Sequence, residues 1–307
     1  MELQRHLDRS ARTSSLIPVE RELHDRNEPI FDQGLAFDLE TLMDRRQVMK
    51  LIGGVGMAAG LMTILGCTPG AILSSASTPG SSATAGSSAS NGSAASCDPI
   101  PEETAGPYPG DGSNGPDVLS QSGVVRSDIR SSFGSGSGVA AGIPLTIKLT
   151  IQDDSNGCAP LAGAAVYLWH CDRDGGYSLY SQGVTNENYL RGVQAADANG
   201  VVTFTSIFPA CYSGRWPHIH FEVYPSLAKA TDQANKIATS QIALPKDTCD
   251  VVYATDGYSQ SITNLAQVSL ASDNVFGDDG GVHELGTVTG SVASGFTVEL
   301  AVPVKTA

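Results

Sequence analysis

Short runs of alternating or β-branched residues, each closed off by Gly, Asn, Asp or Pro, recur through the last two thirds of this 307-residue chain. They read IPLTIKLTIQD (143–153), AAVYLWHCD (164–172), GVVTFTSIF (200–208), HIHFEVYP (218–225), TSQIALP (239–245), AQVSLA (266–271) and GFTVELAVPV (295–304). Strands of this length and density, with turn chemistry between them, predict an all-β fold, a single β-sandwich, and argue against parallel α/β architecture. The clusters DDSNG, DRDGG, DANG and GDDGG are hairpin candidates. One stretch, SLAKATDQANKIA (226–238), is compatible with a helix, but its periodicity is weak and it reads equally as a long ordered loop.

The folded unit is expected to be residues 97–307. Residues 68–96 consist almost wholly of Ser, Gly, Ala, Thr and Pro. Such a stretch has too little apolar surface to offset its ordering entropy, which predicts a flexible tether. Ahead of it, DRRQVMK precedes the uncharged apolar run LIGGVGMAAGLMTILG (51–66), and Cys67 follows. A charged region, a short apolar region and a small residue before a cleavage point make an export signal, and sixteen positions fall short of a typical membrane span of about 20. The pair Arg45–Arg46 resembles a twin-arginine signal, and ILGC resembles a lipobox in which Cys67 would be acylated. Residues 1–67 are therefore expected to form an N-terminal extension with its export signal, giving a secreted, periplasmic or lipid-anchored surface protein. The 43 residues before the signal are either an extended leader or lie upstream of the true start codon.

From Cys97 onward, five Lys and five Arg face sixteen Asp and six Glu. That balance disfavours nucleic acid or an anionic membrane surface as a partner. The same segment holds Cys97, Cys158, Cys171, Cys211 and Cys249. In an oxidising compartment these are expected to form two disulfides and leave one thiol over, and the absence of a C-x-x-C argues against a zinc ribbon or a dithiol redox site.

His218 and His220 flank one residue in a strand, so their imidazoles share a face and can aim at a common point. A bare His-x-His is more often a hydrogen-bonded structural pair than a metal site. A copper–zinc site of the superoxide dismutase type needs more histidines than His170 and His283 can add. A three-histidine zinc site would have to recruit one of those two. The other nearby candidates are oxygens, and Tyr212 lies six residues before His218; a tyrosinate is a hard anionic ligand suited to a ferric ion.

The stretches APLAGAAVYLWHCDRDGGYSLYS and NYLRGVQAADANGVVTFTSIFPACYSGRWPHIHFEV resemble the intradiol ring-cleaving dioxygenases, the catechol and protocatechuate dioxygenase family, and in particular its exported short-chain branch. The resemblance runs from PEETAGPYPGDG (101–112) to the end of the chain. It implies long active-site loops on the sandwich and one non-haem Fe(III) per chain, held by Tyr177, Tyr212, His218 and His220. In the family Tyr177 would stay bound, whereas Tyr212 would be released as substrate chelates and serve as a base. By the same resemblance, Arg215 faces the substrate ring, Gln241 lies near it, and Tyr108 in the GPY segment borders the pocket. Trp169, Leu190, Phe204 and Phe221 are assigned to core packing, and His170 and His283 are not expected to be ligands.

The implied activity is cleavage of catechol-type diols with dioxygen to diacids of the cis,cis-muconate type. Two other readings stand beside it: an inactive exported β-sandwich that only binds a ligand, and a His-x-His zinc hydrolase. The helical dimerisation segment of the larger relatives is missing from the resemblance, which leaves a monomer or a homodimer.

Overall fold

The structure is a computed structural model that describes residues 97–306; the expected export signal, the Cys67 anchor and the 68–96 tether lie outside the described residues. In chain order the strands are β1 (Pro144–Asp153), β2 (Ala159–Pro160), β3 (Ala165–Trp169), β4 (Arg191–Ala195), β5 (Val201–Ile207), β6 (His218–Tyr224), β7 (Ala238–Ala243), β8 (Thr287–Ser291) and β9 (Gly295–Val304). One sheet is built around β1, which pairs in parallel with β9 on one side and antiparallel with β5 and β2, while β8 pairs with β9. The other runs β4-β3-β6-β7, all antiparallel.

Period-two patterning explains why the sheets face each other. Along β1, Leu145, Ile147, Leu149 and Ile151 are buried, while the residues between them are half exposed. They meet Val202, Phe204, Val298 and Val302 from their own sheet and Val166, Leu168, Ile219, Phe221 and Ile242 from the opposite one. Each such side chain, fully buried, contributes about 1.5–3 kcal/mol. Strand β6 is buried on both faces. Its odd positions Ile219, Phe221 and Val223 enter this core. The even positions point to the outer face of the sheet, where an aromatic cluster of Tyr108, Tyr167, Trp169, Tyr177, Tyr212 and Tyr224 lies.

Several sequence expectations need correcting. AQVSLA is no strand: Ala266 caps a helix, donating to the carbonyls of Ile262 and Asn264, and Leu270–Ser272 is a 3-10 turn closed by a Ser269–Ser272 capping box. The 226–238 stretch is the ordered loop rather than a helix, with only a 3-10 turn at Gln233–Asn235 capped by Asp232. Helices form instead at α1 (Lys246–Tyr253) and α2 (Ser259–Leu265). In α1, Cys249, Val252 and Tyr253 are buried at helical spacing. Such short helices are held by packing rather than by propensity, which is why KDTCDVVY gives little local signal. Strands β4 and β8 were also not foreseen, and DANG joins strands of different sheets instead of closing a hairpin.

One disulfide forms among the described residues, Cys97–Cys158, rather than two. Cys171, Cys211 and Cys249 are buried free thiols. Each lies against a main-chain carbonyl, of Ala210, Arg215 and Leu244 respectively.

Candidate metal centre

Four side chains from three places in the chain meet on the outer face of the β4-β3-β6-β7 sheet. His218 Nε2 lies 3.1 Å from His220 Nε2, 3.2 Å from Tyr212 Oη and 3.4 Å from Tyr177 Oη. All four residues are buried. Both histidines come from β6, and each tyrosine comes from a turn. Asp172 Oδ1 accepts from the amides of Asp174 and Gly176, which shapes the first turn and presents Tyr177. Gly175 there has φ +90°, and a Cβ on it would stand 3.3 Å from Tyr212 Cβ, so glycine lets the two tyrosine-bearing turns approach.

Surrounding groups fix the donor atoms. His218 Nδ1 is 2.5 Å from the Trp216 carbonyl, which can only accept; the proton therefore sits on Nδ1 and the Nε2 lone pair faces the cluster. His220 stacks on Trp169 with centroids 4.9 Å apart and planes 3° from parallel. Its Nδ1 is buried without a hydrogen-bond partner among the described residues. Burial, reinforced by Arg215, holds His218 well below the ordinary imidazole range, and burial and His218 do the same to His220. Both are therefore neutral, the form that binds metals. Burial and the neighbouring Tyr212 push the Tyr177 phenol well above its ordinary range. A cation between the oxygens would reverse that preference. Among the described residues no three His, Cys, Asp or Glu converge as a metal group. Two neutral imidazoles with two ionisable phenols suit a hard, highly charged ion such as Fe(III) better than zinc.

The other expected residues lie alongside. Arg215 is buried; its Nε donates to Asp273 Oδ2 at 3.0 Å and its Nη2 to Gln241 Oε1 at 2.8 Å. Gln241 pairs in register with His220, and its amide donates to the Thr104 carbonyl. Tyr108 packs against Tyr177 with centroids 4.8 Å apart. A cavity of about 270 Å³ borders Tyr212 on the side of Ala210, Ser213 and α2. His170 stays outside the cluster, its ring nitrogens engaged by the Cys171 carbonyl and the Ser206 hydroxyl, and His283 is exposed.

The model of the Dioxygenase family matches residues 115–268, half of the chain. The chain belongs to the intradiol ring-cleavage dioxygenases. The solved intradiol ring-cleavage dioxygenase from Tetranychus urticae is similar to it over 68% of this chain and 95% of that one, at 25% identity and a TM-score of 0.55. A second solved dioxygenase covers the same shares at 26% identity and a TM-score of 0.54. The chlorocatechol 1,2-dioxygenase of Rhodococcus opacus is 36% identical over 59 residues, 19% of this chain; the match spans 23% of that relative's length.

Three residues of this dioxygenase site were missed in sequence. Asp273, which holds Arg215, is 58 residues away along the chain and carries no local signal. Trp169 is buried as assigned, in the outer-face aromatic cluster, but its stacking on His220 was not read; its shared parity with Tyr167 on β3 is the signal that sets it on that face. Arg191, in the LRG block, is buried on the same face.

Two further carboxyls are buried, Glu103 within reach of Arg215 and Glu284 within reach of Glu103. Burial, then Glu284 and Asp278, push Glu103 up to about 8, and burial with Asp279 pushes Glu284 to about 7. A carboxyl whose pKa is raised on folding keeps its proton longer in the folded state. Its contribution is full below the unfolded pKa of about 4.5 and is lost as pH rises through 7 to 8. The melting temperature of metal-free protein should therefore fall between pH 6 and 8.5, and Glu103→Gln should flatten that slope. An unchanged slope in the variant would remove Glu103 from the account.

Proposed function

We propose that this dioxygenase cleaves catechol-type diols between the two hydroxylated carbons, with dioxygen, at a ferric ion held by Tyr177, Tyr212, His218 and His220. The observation that carries it is the convergence of two phenol oxygens on two imidazole nitrogens, with Arg215 and Gln241 beside them. Bound there, Fe(III) would accept both diol oxygens and open the ring to dioxygen without an external reductant.

The chain's own groups do the rest. Tyr212 is the less buried of the two tyrosines, and its Oη, 3.2 Å from His218 Nε2, would take a proton from an entering diol. Tyr177, packed under Tyr108, keeps its place. Arg215, fixed by Asp273 and Gln241, holds positive charge where electron density builds on the ring. The surrounding aromatic wall excludes bulk water.

Oxygen uptake against catechol, methylcatechols, protocatechuate, hydroxyquinol and caffeate-like diols, with product spectra, tests this reading. Muconate-type products and a burgundy iron form are expected. Extradiol products, or a colourless protein at full iron occupancy, would overturn it. Ligand binding without oxygen uptake would favour the inactive binding module, and zinc with hydrolysis the zinc enzyme.

A further inference from the structure

One row across the outer sheet face joins Arg191 on β4, Trp169 on β3, His220 on β6 and Gln241 on β7 in direct register. Gln241 at one end meets Arg215. Arg191, at the other end, is 1% exposed. Its five N–H groups all have acceptors: Nε donates to Ser178 Oγ (3.0 Å), Nη1 to the Pro109 carbonyl (2.7 Å) and Tyr167 Oη (3.1 Å), and Nη2 to the carbonyls of Tyr108 and Ser178 (both 2.9 Å). None of these acceptors is a carboxylate. A buried cation is costly unless its donors are satisfied, so this arrangement retains a guanidinium for its geometry. A lysine, with three donors at one point, cannot reproduce the planar fork.

Apart from Tyr167 on β3, the acceptors belong to two segments without regular structure. Tyr108 and Pro109 lie in the strap before the sandwich, and Ser178 follows Tyr177. Pro109 also accepts from Tyr167 Oη at 2.7 Å, and Gly110 donates to Tyr180 Oη at 2.8 Å. Gly110 has φ +66°, and a Cβ on it would lie 2.8 Å from Arg191 Nη1. Glycine at 110 thus leaves the guanidinium its space.

We propose that Arg191 is a positioning residue: it ties the Tyr108 strap to the Tyr177 turn and so fixes the aromatic wall on which the diol ring packs. This rests on the ring-cleavage reading. Its consequence is a defect in substrate placement rather than in metal retention.

The test compares wild type, Arg191→Lys and Gly110→Ala as iron-loaded full chains. Iron content should stay at the wild-type level while KM for the preferred diol rises about 10- to 100-fold, the range for outer-shell partners of metal sites, with a smaller change in kcat. The tyrosinate absorption band should shift, and amide exchange over residues 107–118 should quicken. Gly110→Ala attacks the clamp without altering Arg191, so the two variants should agree, and it stands alone if Arg191→Lys does not fold. A lowered melting temperature with KM, absorption band and exchange all at wild-type values would overturn the proposal. Should wild type cleave no diol, the ring-cleavage reading falls, and exchange over 107–118 still decides whether Arg191 clamps the strap.

Discussion

His220→Ala should lose most of the bound iron and more than about 100-fold of the ring-cleaving rate, since removing a ligand exceeds the 10- to 100-fold cost of disturbing an outer partner. The geometry behind this is specific. His220 Nε2 is 3.1 Å from His218 Nε2, and its ring is clamped against Trp169. Tyr177→Phe should act through charge instead: in the proposed ferric site it would remove one of two anionic oxygens, so iron binding should weaken and the visible band move or disappear. Metal analysis and absorption spectra of the two variants check both statements. Wild-type iron, colour and turnover in either would take that residue out of the ligand set.

Arg215→Met should cost both rate and stability, and the two losses separate. A rate loss of about 100- to 1,000-fold is expected where a buried donor stabilises developing charge. Independently, Asp273 would be left as an uncompensated buried carboxylate, at about 3–5 kcal/mol. Asp273 Oδ2 also accepts from the Trp216 amide at 2.6 Å, and Oδ1 accepts from Val275 and Phe276, so the acid anchors the segment leading into His218. The double variant Arg215→Met/Asp273→Asn should regain much of the stability and none of the rate. Melting temperatures and kcat/KM of the single and double variants decide this. Equal recovery of both would mean that Arg215 acts only as a structural partner of Asp273.

Tyr177, Tyr212, His218 and His220 were named as a set through the family resemblance, which rests on short local motifs, and the structure brings them together. The histidines follow strand parity, and each tyrosine follows a glycine- or proline-marked turn. The same local logic misread AQVSLA, where a capping box outweighs alternation, and it left KDTCDVVY unassigned, where packing of Cys249, Val252 and Tyr253 holds a short helix with little local signal. The expectation of two disulfides came from counting cysteines. Burial of Cys171, Cys211 and Cys249 against main-chain carbonyls is a tertiary fact with no trace in their spacing.

By itself, the sequence determined a β-sandwich and one strand presenting two imidazoles to a single face, because side-chain direction in a strand has period two whatever surrounds it. Tertiary structure alone decided that this face is the outer one, that Asp273 holds Arg215, and that Arg191 binds the strap of Tyr108 to the turn of Tyr177. The Arg215–Asp273 and Arg191–Tyr108 contacts span 58 and 83 residues, and pairing across such distances depends on how the sheets and loops pack.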